Sequence, residues 1–191
     1  MSTLPKPFVT PEEYLDLERK AEFKSEYHDG KIFAMSGSST RHDDIVAQLS
    51  GLMHQHLRGK KCKWYTANLR VLVEASGLYT YPDLSVVCGE PRLTDPYEDT
   101  LTNPTLLVEV LSPSTEDYDR GRKAAMYRKM PSLQELLLIA QNSYEVELSR
   151  RGPEGNWSVV QAVGLEASIH LASIGYTLRL SELYKRVREE S

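Results

Sequence analysis

Tyr81-Pro82-Asp83-Leu84-Ser85-Val86-Val87-Cys88 and Leu106-Leu107-Val108-Glu109-Val110-Leu111 share one oddity: each is an apolar, strand-forming run that carries a carboxylate, at its mouth in the first and inside it in the second. Burying an unpaired carboxylate costs several kcal/mol even after relaxation, so a chain that places two there must supply a cation. The next segment offers one. Asp119, Lys123 and Tyr127 are spaced four apart and share a helical face. A turn at Ser112-Pro113 folds that helix back over the strand, and Lys123 follows Glu109 by 14 residues. Two acids and a lysine suit Mg²⁺, which takes one or two carboxylates plus waters and a phosphate and stabilises charge on a phosphoryl oxygen. The pattern spells a metal-dependent phosphodiesterase site. The same residues also read more plainly: Asp83 after a proline as a turn cap, and Glu109 with Lys123 as a structural ion pair.

Outward from these strands, the order of elements is that of a mixed α/β domain. Thr10-Pro11-Glu12-Glu13 reads as a capping box without its usual spacing and opens a helix to about Lys20. Residues 26–35 read as a hairpin around Asp29-Gly30, and residues 36–40 as a small-residue loop. Ile45, Leu49, Leu52 and Met53 recur at helical steps within a helix from His42 to Leu57, ended by Gly59. Trp64–Glu74 and Tyr79–Cys88 read as strands, Gly89–Asn103 as a polar loop, and Thr105–Leu111 as a short apolar strand. A basic helix runs from Asp119 to Lys129, and another apolar strand from Leu133 to Ala140. A hairpin pairs Tyr144–Leu148 with Trp157–Ala162, and an amphipathic tail spans Leu178–Val187 with Ser181 as its N-cap. The crossover helix implies at least one parallel strand pair.

The chain has 191 residues, 40% hydrophobic and 26% charged. It is read as one domain, 1–191, large enough to bury a core without staples. Its formal net charge of −4 places any nucleic-acid contact on local patches rather than on the whole surface. Cys62 and Cys88 lack CxxC spacing; a single disulfide between them is possible but not called for, a reducing cytoplasm fits better, and Cys88 reads as a small core residue. No apolar run approaches the roughly 18 residues of a membrane span, and the first 15 residues have no apolar signal core. The expectation is a cytoplasmic protein.

Tyr81–Val87, Leu107–Thr115 and then Asp119, Lys123 and Tyr127 resemble the Uma-type family of putative restriction endonucleases, within the PD-(D/E)XK nuclease-like superfamily. The likeness extends upstream to Glu26, Gly30-Lys31-Ile32 and His42, and downstream to Glu135–Ile139. It implies a restriction-endonuclease-like core: a mixed central β-sheet flanked by helices, here with an extra C-terminal β-hairpin. It also implies that Asp83 and Glu109 are metal ligands for Mg²⁺ or Mn²⁺. The superfamily's usual lysine, two residues after the second acid, falls on Leu111, and the resemblance hands its role to Lys123. Glu26 matches an acid that helps build the metal pocket, and His42 the family's histidine at the second helix.

Arg120, Arg122 and Lys129, on the helix that carries Lys123, are candidates for DNA phosphate contacts, as is the cluster Arg58, Lys60, Lys61 and Lys63, for which a solvated helix end is the commoner explanation. Tyr65, Tyr79, Tyr81 and Tyr97 could stack bases or simply pack. His54 and His56 are two apart, not the four a zinc pair on a helix needs, and no P-loop lysine or GxSxG elbow exists. The leading reading is a Mg²⁺- or Mn²⁺-dependent endodeoxyribonuclease acting as a homodimer. The competing one is an inactive module on the same scaffold that binds nucleic acid or a protein partner.

Overall fold

The computed structural model describes residues 8–35, 37–94 and 96–187; Ser36, within the loop expected over residues 36–40, and the first seven residues lie outside these. Thr10 opens helix α1 (Pro11–Glu18) with a reciprocal box: its hydroxyl accepts the Glu13 N–H at 3.2 Å, and Glu13 Oε2 accepts the Thr10 N–H at 2.8 Å. Thr10-x-x-Glu13 thus has the ordinary box spacing, a correction to the sequence reading. The hairpin forms as expected, β1 (Ser25–His28) with β2 (Lys31–Ala34). Asp29 and Gly30 both take positive φ, 51° and 71°, which matches the turn's twist to that of the strands. Helix α2 (Thr40–Leu57) starts slightly earlier than expected, because Ser39 caps it by accepting the His42 N–H at 3.1 Å.

The two long strands expected next are each cut in two. Trp64–Glu74 becomes β3 (Cys62–Thr66) and β4 (Arg70–Val73), and Tyr79–Cys88 becomes β5 (Leu78–Thr80) and β6 (Leu84–Cys88). The halves belong to different sheets. Pro82 has no N–H to give to a ladder, so the chain leaves one sheet after Thr80 and enters the other at Leu84. Asp83 sits at that crossing.

The segment read as a polar loop contains a short strand, β7 (Thr100–Leu101). Strand β8 (Leu106–Leu111) leads into a crossover helix in three pieces: α3 (Glu116–Tyr118), a π-helical turn (Asp119–Lys123) and α4 (Ala124–Tyr127). It therefore starts and ends earlier than the expected Asp119–Lys129. Strand β9 (Glu135–Ala140) then pairs parallel with β8, and β10 (Glu145–Arg151) with β11 (Trp157–Val163) extends the sheet. The resulting mixed sheet has the order β11-β10-β9-β8-β6-β3; a second has the order β2-β1-β5-β4-β7. A further hairpin, β12 (Ser168–Leu171) with β13 (Tyr176–Arg179), escaped the sequence reading. The tail helix shrinks to α5 (Leu180–Leu183), and Ser181 lies inside it rather than capping it.

Alternation along β8 sorts the core. Leu106, Val108 and Val110 face α2 and the C-terminal hairpin, in a cluster with Ile45, Leu49 and Leu178. Leu107 and Leu111 face the crossover helix and the second sheet, with Ala124, Tyr127, Val71 and Leu78. With a period of two, Glu109 falls on the second face, beneath the crossover helix. Cys62 and Cys88 are directly opposed on β3 and β6 and form a disulfide. The spacing left this bridge possible but uncalled for, with Cys88 read as a small core residue; the register, invisible in the spacing, sets the two side chains face to face. Among the described residues no helix is long and apolar enough to cross a membrane.

Candidate active site

Strands β6 and β8 are antiparallel, with Leu84 opposite Val108. One further step of that register sets Asp83 opposite Glu109 on the same sheet face. Asp83 is fixed there by its own neighbour strand, since its Oδ2 accepts the Val110 N–H at 2.7 Å. The break at Pro82 and the single buried acid in β8 therefore build one site.

Lys123 completes it. Its ammonium lies 2.8 Å from Glu26 Oε1, 3.0 Å from Glu109 Oε1 and 3.6 Å from Asp119 Oδ1. The π turn places it: the Ala124 N–H reaches the carbonyl of Asp119, five residues back, and the widened turn keeps Asp119 and Lys123 on one face. Single π turns inside α-helices occur often at functional sites. Tyr127, one turn on, donates its hydroxyl to Glu109 Oε1 at 2.6 Å. Thr80, on β5, donates to Glu26 at 2.5 Å and lies 3.3 Å from the Tyr127 hydroxyl, which links the two sheets through one polar network. Thr80 was missed because nothing local marks it; Asp119 and Tyr127 were marked by their four-residue spacing from Lys123.

His42 approaches from the other sheet face. Its backbone N–H is held by Ser39 in the first turn of α2, and its Nε2 lies 3.3 Å from Asp83 Oδ2. Its Nδ1 is buried without a hydrogen bond, 3.7 Å from Asp43 Oδ1. Burial draws this imidazole's pKa down, but the bond and charge of Asp83, with Asp43, outweigh it and hold the pKa above its usual value.

Burial likewise pulls Lys123 down, yet Glu109, Tyr127, Glu26 and Asp119 outweigh it, so the side chain is a fixed ammonium rather than a base. Glu109 moves the opposite way from an ordinary paired acid. Burial raises its pKa, Asp83 and Asp119 add to the rise, and Lys123 only partly offsets them. Asp119 is raised by burial too, against the pull of Lys123 and Thr115. One cation therefore faces more carboxyl groups than it can neutralise.

The structure thus brings Asp83, Glu109, Lys123, Glu26 and His42 to one cavity of about 970 Å³. Arg122 is at its wall, 3.4 Å from His28 Nδ1. Arg120 points away, held by Glu116 at 2.7 Å and Glu147 at 3.0 Å, and Lys129 is exposed outside the cavity lining. Leu111, where the superfamily's lysine would stand, is packed in the core.

The family model described as "Putative restriction endonuclease", Uma2, matches residues 11–181. The chain belongs to this family. Two relatives from Synechocystis sp. agree in length: the uncharacterized protein slr1290 is 39% identical over 95% of this chain and 94% of its own, and the uncharacterized protein sll1609 is 34% identical over 86% and 93%. The fold matches that of a putative nuclease belonging to DUF820 from Anabaena variabilis with a TM-score of 0.77, at 21% identity, over 94% of this chain and 99% of that one. The family and the mixed α/β fold are those that the resemblance implied.

The donor set fits a hard divalent cation. Two facing carboxylates with open cavity beside them match the sparse protein ligation of Mg²⁺, which keeps waters and a substrate phosphate. Among the described residues no group of three or more His, Cys, Asp or Glu side chains forms an all-protein cage of the zinc type.

Proposed function

We propose that the protein is a metal-dependent endodeoxyribonuclease, with Asp83 and Glu109 as the ligands of Mg²⁺ or Mn²⁺. The observation that carries this reading is the pairing of these two acids on one sheet face with the Lys123 ammonium 3.0 Å from Glu109. When bound, the ion supplies Lewis-acid stabilisation of charge on the phosphoryl oxygen. Lys123, permanently protonated, orients the attacking water and steadies the developing anion. Glu26, Tyr127 and Asp119 hold that ammonium in place. His42 fixes the Asp83 carboxylate, and Arg122 at the cavity wall is positioned for a phosphate. Lys129, exposed outside the cavity, would contact the DNA backbone farther along, whereas Arg120 is engaged by Glu116 and Glu147.

A non-catalytic module on the same scaffold is the second reading. It is favoured by one observation: Glu109 Oε1 is already occupied by both Lys123 and Tyr127. Calorimetric titration with Mn²⁺ separates the two. The endonuclease reading expects a binding isotherm in the wild type that is lost in Asp83→Asn and in Glu109→Gln. An isotherm unchanged in both variants, or no binding in the wild type, supports the module.

A further inference from the structure

One cross-strand row runs from the buried cluster to the cavity mouth. Tyr27 faces Tyr79 across β1 and β5, so Thr80 and Glu26 are neighbours in that register; Glu26 in turn faces Phe33 on β2. Thr80 is fully buried, Glu26 half-buried and Phe33 51% exposed. The same face that presents Glu26 to Lys123 therefore presents a bare phenyl ring beside it. Phe23, 80% exposed, and Met35 line the same mouth, and Tyr118 lines the cavity from the crossover helix.

Two properties of the cavity limit what enters it. Its floor is deep: Glu109 and Lys123 are each only 6% exposed. Its volume, about 970 Å³, is that of a small-ligand pocket. Enzymes that draw nucleic acid into a pocket of this kind take a single strand or an extruded nucleotide, as those acting on bases do, and a recessed phosphodiester site favours the slimmer, more flexible single strand for the same steric reason. Charge points the same way. Among the described lining residues six carboxylates face three cations, and one of the three, Lys123, is already paired. Phosphate attraction is therefore weak here, and affinity must come from elsewhere. Exposed aromatic rings supply it to unpaired bases, whose π faces a duplex hides.

Resting on the endonuclease reading for the chemistry, we propose that the substrate is single-stranded or locally unpaired DNA, with its bases stacked on Phe33 and Phe23 at the mouth while the backbone reaches Asp83 and Glu109. Either ring can be removed without altering Asp83, Glu109 or Lys123.

The test is fluorescence anisotropy in Ca²⁺ with a labelled oligothymidylate and with its duplex on oligodeoxyadenylate. The wild type should bind the single strand at least about tenfold more tightly than the duplex, since each stacked base contributes about 1–3 kcal/mol. Its log–log salt slope should be no steeper than about −1.4, two phosphates at −0.7 each. Phe33→Ala and Phe23→Ala should each weaken single-strand binding by about fivefold or more and leave the duplex affinity and melting temperature unchanged; Phe33→Trp should retain binding. Equal affinity for the duplex overturns the proposal, as do alanine variants that bind like the wild type. Variants that instead change the oligomeric state without changing DNA affinity overturn it too, and mark the rings as an interface between copies. Asp83-dependent cleavage of duplex DNA without single-strand preference removes this inference alone. Ring-dependent single-strand binding without cleavage removes the endonuclease reading and keeps this one.

Discussion

Lys123 is held by three carboxyl groups inside the protein, and a buried ion pair is most costly when half of it is taken away. Lys123→Met should destabilise the fold by about 3–5 kcal/mol at neutral pH. The loss should shrink toward pH 5, because Glu109 and Asp119, whose pKa values burial raises, can then take up protons instead of standing charged without a partner. Urea unfolding at the two pH values reads this directly, and an equal loss at both would show that the ammonium is not what balances the acids. A second titration lies away from the site. Partial burial raises the Asp99 carboxyl, but Arg19 and Arg70, each at 2.8 Å, with Thr100, overcome it and bring its pKa to about 2. A depressed acid contributes stability above its unfolded value of about 3.9, and that contribution fades as pH falls through about 2. Asp99→Asn should therefore be less stable than the wild type at pH 5, with the gap in urea midpoint closing between about pH 4 and 2.

Local chemistry made some elements legible and left others hidden. Asp29-Gly30 announced its hairpin because two residues with positive φ are what such a turn needs. The apolar run at Leu106–Leu111 announced a strand, and its misplaced acid pointed to the cavity that the fold forms around Glu109. Three features were hidden because they depend on partners far along the chain. The cut at Pro82 is a choice between two sheets, the hairpin β12–β13 is formed by burial of Ile169, Leu171 and Leu178 against the core, and Thr80 meets Glu26 only across strands. Tyr79 and Tyr81, read as possible stacking rings, are buried, whereas the rings at the cavity mouth are Phe23 and Phe33. The Cys62–Cys88 bridge was hidden for the same reason, since only the β3–β6 register sets the two opposite. It closes a loop of 26 residues, so Cys62→Ser should lower the stability of the oxidised protein by about 3 kcal/mol. A reductant should lower the wild type by a similar amount and leave the variant unmoved.

For the whole molecule, the fold carries two sheets that meet at Asp83, with α2 and the crossover helix on opposite faces of the larger one. That meeting point gathers acids from β1, β8 and the crossover helix around one lysine, in a chain whose formal net charge is already −4. On the endonuclease proposal, such a site would attract a phosphodiester only once a divalent cation had reversed the local charge, so activity and metal would stand or fall together. The most direct measurement is incubation of supercoiled plasmid with the purified protein and Mn²⁺, beside Asp83→Ala and beside EDTA. The account predicts nicked or linear DNA from the wild type alone, with Asp83→Ala folded but inactive. Cleavage that survives Asp83→Ala or EDTA would contradict it.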